Sequence, residues 1–134
     1  MSLPLFCYGT LELPEVMRAV AGCLPTRLPA TLSGYRRAMV AGRNYPGVLP
    51  ADDTVLGTLY LAPGRTVLAR IDRFEGDEYR RRQVTVKTGN GQSRAWVYVL
   101  DPQRARLSEV PWDAEAFARD HMHHPPLGRR RSTR

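Results

Sequence analysis

The sequence has two cysteines, no long apolar run and no histidine before position 121, and each shortage excludes a class of protein. Cys7 and Cys23 are too few for the disulfide framework of a small secreted domain. No apolar stretch approaches the length of a membrane span. The N-terminal MSLPLFCYG has neither a basic segment nor a signal-cleavage pattern. We therefore expect a cytoplasmic protein with no membrane partner.

Positive charge is concentrated at the C-terminus. The net charge is +7, but residues 129–134 carry four arginines; without them 20 − 4 = 16 basic residues face 13 acidic ones, or +3. This distribution predicts a single domain at 1–124 followed by a basic, disordered tail at 125–134. Nonspecific contact of the tail with phosphates stays open, and no specific nucleic-acid partner is expected.

Apolar spacing and turn residues predict alternating strands and helices. Strands are expected at residues 3–8, 55–61, 79–88 and 93–100. Helices are expected at 14–21, from 67 to a cap at Gly76, and at 112–121. Residues 26–49 are expected to be extended but broken by prolines and glycines. This order predicts an α+β fold, a small, mainly antiparallel sheet curling toward a β-barrel with short flanking helices.

The segment Tyr8-Gly9-Thr10-Leu11 follows the first apolar strand and is a candidate binding loop. A glycine at this place permits a sharp turn that leaves successive N–H groups unpaired by the sheet. Such a concavity favours a carboxylate or a developing oxyanion. The alternative is an ordinary turn between a strand and a helix.

Glu75 is the candidate catalytic residue because of its place on the second predicted helix. It adjoins Phe74 and lies four residues after Ile71, which puts it near the buried face. A carboxyl group against apolar side chains, near the negative end of a helix, is expected to have a raised pKa. That suits a group that accepts and then donates a proton. Alternatively, the acids of residues 72–78 form surface ion pairs with the arginines of 80–82.

Four motifs together resemble the gamma-glutamylcyclotransferase-like family, and in particular its AIG2-like members. They are YGTL at 8–11, YPGVLP at 45–50, GTLY at 57–60 and IDRFEGDEY at 71–79. The resemblance spans about residues 3–100. It implies a small mixed α/β barrel and an enzyme that releases 5-oxoproline from a gamma-glutamyl amine or peptide.

The resemblance also implies roles for individual residues. Backbone amides of residues 8–11 hold the glutamyl part of the substrate, and Glu75 is the general acid/base. The substrate's own α-amine is the nucleophile, so no cofactor or metal is expected. Tyr79 and Tyr98 resemble cavity-lining tyrosines of the family, although half-buried strand aromatics are an equally good interpretation.

Other segments have simpler interpretations. Arg43, Asn44 and Tyr45 form either the cavity rim or, more simply, a polar loop. Cys7 is expected to be a buried strand thiol, because no histidine accompanies it. The histidines at 121–124 are expected to end a solvated helix rather than bind a metal. A non-catalytic binding or regulatory protein with the same fold and pocket is the alternative function.

Overall fold

The computed structural model describes residues 3–112 of the chain. Its strands and helices are, in chain order, β1 (Leu5–Cys7), α1 (Pro14–Ala21), β2 (Arg27–Met39), β3 (Pro46–Tyr60), α2 (Gly64–Glu75), β4 (Tyr79–Thr88) and β5 (Gly91–Leu100). A single 3₁₀ turn, Thr10–Glu12, lies between β1 and α1. Neither helix in this part of the chain has the length and apolar character needed to cross a bilayer.

The five strands form a closed barrel in the order β1-β3-β2-β4-β5. Neighbouring strands are antiparallel, except that β1 lies parallel to β5 where the barrel closes, with Leu5 opposite Trp96. The predicted fold class, a small and mainly antiparallel barrel with short helices, is confirmed.

Successive residues of β1 pack into two different cores. Leu5 and Cys7 face the helices, whereas Phe6 and Tyr8 point into the barrel with residues such as Val97. Side chains of a strand alternate between its two faces, so a strand covered on both faces is apolar throughout. This explains the uninterrupted apolar run with which the domain begins.

Both helices end at a glycine with positive φ. The predicted bounds of α1 are confirmed, and Gly22 at φ 83° ends it. Helix α2 begins at Gly64, before the predicted apolar stripe of residues 67–74, and Gly76 at φ 79° ends it. Glu75 is therefore the last residue of α2.

The segment 26–49 is extended, as predicted, and Gly42 (φ 74°) lies in the turn between β2 and β3, but the other prolines and glycines do not interrupt the strands. Strand β2 absorbs Gly34 (φ 89°) as an irregularity in its register between Ser33 and Tyr35. Pro29 lies opposite Thr58 of β3. The pairing of β2 with β4 is at Thr31, beyond Pro29, so the missing N–H of Pro29 costs no hydrogen bond to β4.

Four further predictions differ from the structure at their boundaries. Strand β1 has three residues instead of the six expected, and β5 begins at Gly91 rather than at residue 93. Strand β3 begins at Pro46, well before the predicted residue 55. Trp112 is not helical, and the rest of the expected last helix lies outside the described residues.

Candidate active site

A small cavity lies where β1 ends. Its lining residues are Phe6, Cys7, Tyr8, Gly9, Thr10, Leu11, Pro46, Glu75 and Tyr98. The structure thus brings the whole predicted loop, residues 8–11, together with Glu75 and Tyr98. Phe6 and Pro46 were not predicted here, although Pro46 belongs to the YPGVLP motif.

Glu75 is held in the cavity wall by the apolar face of α2. Its neighbours on that face, Ile71 and Phe74, are 0% and 3% exposed, and Glu75 itself is 6% exposed. Cys7, from β1, lines the same cavity and is buried, as predicted. Burial raises the pKa of Cys7, and the negative charge of Glu75 raises it further. The thiol is therefore protonated and a poor nucleophile.

Two hydrogen bonds shape the loop into a 3₁₀ turn. The Glu12 N–H donates to the Gly9 carbonyl at 2.9 Å, and the Leu13 N–H donates to the Thr10 carbonyl at 3.1 Å. In a trans peptide the N–H points opposite to the carbonyl. The amides of Thr10 and Leu11 therefore face back toward the end of β1 and take no part in the bonds of the turn.

Gly9 is needed because the chain comes very close to Pro46. A Cβ at position 9 would lie 2.6 Å from Cγ and 3.1 Å from Cδ of Pro46. Any side chain there would displace Pro46, which is itself a wall of the cavity. The glycine of the motif is thus explained by space, since its φ of −141° is open to other residues.

Thr10 contributes a buried hydroxyl to the cavity. The residue is 3% exposed, and its Oγ1 has no hydrogen-bond partner among residues 3–112. A buried polar group without a partner costs about 1–3 kcal/mol. Thr10 itself lines the cavity, so its hydroxyl is a candidate donor to a bound molecule.

Tyr98 is fixed in the cavity wall by two hydrogen bonds. Its hydroxyl donates to Oδ1 of Asp72 at 2.6 Å, and its carbonyl accepts the Tyr8 hydroxyl at 2.6 Å. Burial, the bond to Asp72 and the negative charge of Glu75 all raise the pKa of Tyr98. Arg81 pairs with the same carboxylate at 2.9 Å, so Asp72 is held from two sides.

Tyr79 is not among the cavity-lining residues. Its hydroxyl donates to the carbonyl of Pro46 at 2.6 Å, so it contacts the back of the cavity wall. Tyr60 has a comparable place that the sequence did not indicate: its hydroxyl donates to the carbonyl of Leu11 at 2.6 Å. A direct contact between Tyr79 and substrate stays a prediction.

The segment Arg43, Asn44 and Tyr45 lies apart from the cavity lining. Tyr45 is buried and its hydroxyl donates to the carboxylate of Glu78, to which Arg43 is also paired at 3.2 Å. Asn44 is exposed. Arg43 lines a second, open cleft of about 640 Å³ together with Glu78 and other charged residues.

Within residues 3–112, no group of three or more histidine, cysteine, aspartate or glutamate side chains is arranged to hold a metal ion. The histidines at positions 121, 123 and 124 lie outside the described residues. The same is true of the predicted basic tail.

The fold is similar to that of several solved proteins. A protein from Arabidopsis thaliana determined in solution superposes with a TM-score of 0.72 at 26% identity, covering 92% of this chain and 76% of that one. A structure described as gamma-glutamyl cyclotransferase superposes with a TM-score of 0.63 at 17% identity, covering 75% and 68%. At that identity the second likeness concerns the fold alone.

The sequence itself has relatives of the same kind. AIG2-like protein B from Arabidopsis thaliana is 30% identical over 125 residues, covering 88% of this chain and 70% of that protein. The family model described as "Gamma-glutamyl cyclotransferase, AIG2-like" matches residues 5–114, which include the strand, the loop and the acid that form the cavity. The chain therefore belongs to the gamma-glutamyl cyclotransferase, AIG2-like family.

Proposed function

We propose that this protein releases 5-oxoproline from a gamma-glutamyl amine or peptide, with Glu75 as the general acid/base. The observation that carries the proposal is the position of the Glu75 carboxyl in the same small cavity as residues 8–11. Family membership supports the same reaction class. The partner is a small molecule, and neither a nucleic acid nor a membrane is required.

The reaction is a ring closure within the substrate. The α-amine attacks the γ-carbonyl carbon, a C–N bond forms to give the five-membered lactam, and the original γ C–N bond breaks to release the amine. Atoms balance without water, and no electrons are transferred, so the proposal requires no cofactor. Holding both reacting groups in one folded geometry supplies up to about 7–11 kcal/mol of the barrier in well-oriented cases.

Glu75 moves protons between the two nitrogens of the reaction. Its carboxylate first removes a proton from the substrate's α-ammonium and frees the nucleophile. The resulting carboxylic acid then donates that proton to the departing nitrogen as the tetrahedral intermediate collapses. The α-nitrogen loses a second proton as the lactam forms, and the released amine takes it up to leave as an ammonium. A buried setting suits both steps, because 6% exposure limits competing exchange of the proton with water.

The loop supplies donors for negative charge. The amides of Thr10 and Leu11 are not used by the turn, and the Thr10 hydroxyl has no partner in the described chain. These groups are suited to the α-carboxylate of the glutamyl part and to the oxygen that becomes negative in the intermediate.

The proposal is tested with a panel of gamma-glutamyl amines and peptides, following 5-oxoproline by chromatography. The wild-type chain should release it from at least one member, and Glu75→Gln should lower kcat about 10²- to 10⁴-fold, the usual contribution of a general acid/base. Asp77→Asn is the matched control. Asp77 lies two residues away with a side chain 87% exposed, and its loss should leave turnover unchanged.

Equal turnover by wild type and Glu75→Gln would remove Glu75 from the mechanism. Absence of turnover across the panel, combined with measurable binding of a gamma-glutamyl compound by calorimetry, would instead favour the non-catalytic binding protein. Both outcomes are read on variants whose folding is checked by circular dichroism.

A further inference from the structure

Arg37 contacts the backbone of the loop from outside the cavity. It lies on β2, and its Nη1 donates to the carbonyl of Tyr8 at 2.8 Å and to that of Leu56 at 3.0 Å. Glu12 lies 4.0 Å from the same nitrogen. Arg37 is not among the residues that line the cavity.

The contact occurs where β1 leaves the barrel. The last registered pair between β1 and β3 is Cys7 with Thr58. Beyond it, one guanidinium nitrogen bonds to a carbonyl from each diverging chain, Tyr8 and Leu56. Arg37 therefore links the two chains at the point where the backbone hydrogen bonds between β1 and β3 end.

This bond fixes the orientation of the peptide between Tyr8 and Gly9. No cis peptide is present in residues 3–112, so the Gly9 N–H points opposite to the Tyr8 carbonyl. The carbonyl points toward Arg37, outside the cavity, while Gly9 itself lines the cavity. The N–H of Gly9 is thus directed inward, beside the amides of Thr10 and Leu11.

We propose that Arg37 is a positioning residue for the reaction, which holds the Gly9 N–H in the cavity as a donor to a negatively charged substrate oxygen. The inference rests on the proposed function and adds a third amide to the two that the turn leaves unused. The group it serves is a carboxylate or oxyanion of the gamma-glutamyl substrate.

The charges around Arg37 strengthen the arrangement. A cation on the carbonyl polarises the peptide and makes its N–H a better donor. Burial lowers the pKa of Arg37, and Glu12 opposes that shift. Burial also raises the pKa of Glu12, which its bond from Thr58 and the charge of Arg37 oppose. The pair is therefore partly desolvated, which makes the contact stronger than one in open water.

The test compares Arg37→Met with Arg36→Met. Arg36 is the preceding residue of β2, where neighbouring side chains face opposite ways, and its Nη1 donates to the Ser108 carbonyl at 3.4 Å. Removing a single oxyanion donor lowers kcat about 10²- to 10³-fold in known enzymes. We expect kcat/KM to fall about 10²-fold in Arg37→Met and to stay within about twofold in Arg36→Met, with Arg37→Lys intermediate.

A second readout does not depend on turnover. In uniformly ¹⁵N-labelled wild-type protein, the Gly9 amide resonance should shift on titration with 5-oxoproline, and its hydrogen exchange should be slow. In Arg37→Met the shift should be lost and exchange of Gly9 should be faster, while amides of β5 keep their wild-type exchange rates. A merely structural role for Arg37 would instead accelerate exchange throughout the barrel.

The two proposals fail in different ways. An Arg37→Met variant with wild-type kcat/KM and an unchanged Gly9 resonance in an active enzyme overturns the role of Arg37 alone. General loss of protection in Arg37→Met overturns it as well. A wild-type protein that neither turns over any substrate nor shifts at Gly9 with 5-oxoproline overturns both. A wild-type Gly9 shift with 5-oxoproline that Arg37→Met loses, together with faster Gly9 exchange but no turnover by the wild type, rejects the enzyme and supports the orienting role.

Discussion

At the scale of single residues, the cavity contains a polar group that the free protein would fold better without. The Thr10 hydroxyl lacks a partner in the described chain, and Thr10 lines the same cavity as the buried Glu75. Departures from simple packing are expected at functional sites, where stability is given up for binding. The place of Thr10 beside Glu75 is why the cost of its hydroxyl is informative.

Thr10→Val is predicted to change stability and activity in opposite directions. Valine has nearly the same shape and removes the buried hydroxyl, so the free energy of unfolding should rise by about 1 kcal/mol. Turnover should fall, because the substrate loses a hydrogen-bond donor. Urea unfolding and 5-oxoproline release measure the two effects.

Thr10→Ser is the companion variant, since it keeps the hydroxyl and removes only a methyl group. It should retain more activity than Thr10→Val and be less stable than the wild type. A valine variant that is both less stable and fully active would show that Thr10 serves only packing.

Local spacing was sufficient to predict Glu75 and insufficient to predict its surroundings. The burial of Glu75 follows from Ile71 and Phe74 on the same helix. The Thr10 hydroxyl lacks a partner because no donor or acceptor of the described chain lies within hydrogen-bond distance of it. No pattern in the sequence predicts such an absence. Arg37 is 29 residues from its partner Tyr8, and the two meet because β3 pairs with both β1 and β2.

At the scale of elements, the end of α2 sets the direction of Glu75. The chain leaves the helix through Gly76 at φ 79° and ψ −162°, a conformation essentially restricted to glycine. It then enters β4 at Tyr79. The acid is thus placed between a rigid helix and a long strand by one glycine.

Gly76→Ala is predicted to destabilise the protein more than Gly22→Ala, which ends α1. Gly22 has φ 83° and ψ 0°, a left-handed conformation that costs other residues about 1–2 kcal/mol. The backbone of Gly76 is less accessible to alanine, so its substitution should cost up to about 3 kcal/mol. Denaturant midpoints at equal m-values provide the comparison.

Only Gly76→Ala should also reduce turnover, because it moves the neighbouring acid. An equal loss of activity in Gly22→Ala would indicate that lower stability, and not the direction of Glu75, is responsible.

Helices and hairpins could be predicted because their patterns are local. The bounds of α1 and β4 agree with those expected from apolar spacing and from the turn at residues 89–91. The lengths of β2 and β3 could not be predicted, since proline and glycine normally end strands. Here Gly34 sits at an irregular register, and the long pairing of β2 with β3 continues on both sides of it.

At the scale of the whole molecule, the barrel and the helices share β1 as a common wall. The two apolar cores lie on opposite sides of it, and Cys7 belongs to the core between barrel and helices. Cys23, just after α1, is exposed. The thiol of Cys7 is therefore shielded from solvent, whereas that of Cys23 is accessible to it.

A thiol-reactive chromogenic disulfide is predicted to distinguish these cysteines at mildly alkaline pH. One thiol per chain should react rapidly and the second only as the protein opens, because burial raises the pKa of Cys7 and keeps it protonated. Both should react rapidly in denaturant. The time course of absorbance counts the thiols.

Cys23→Ser should remove the fast phase and leave the slow one. A fast phase that persists in this variant would mean that Cys7 is accessible in the folded protein.

The strand order could not be predicted from this single sequence, although the motifs resembled a known barrel. The order β1-β3-β2-β4-β5 places the first strand between the third and the last. Pairings of this kind depend on contacts between distant segments, and a local pattern shows only that each segment is extended.

The barrel is closed by its shortest strand, and this has a consequence for how small molecules enter and leave the cavity. Strand β1 has three residues, and Leu5 with Trp96 is its one registered pair to β5. Local separations begin where the fewest backbone bonds must break. The pairing between β1 and β5 should therefore open before the rest of the barrel. Residues 8–11 directly follow β1 and would be affected by this opening. Release of the 5-oxoproline product and access of a thiol reagent to Cys7 would then both depend on this opening between β1 and β5.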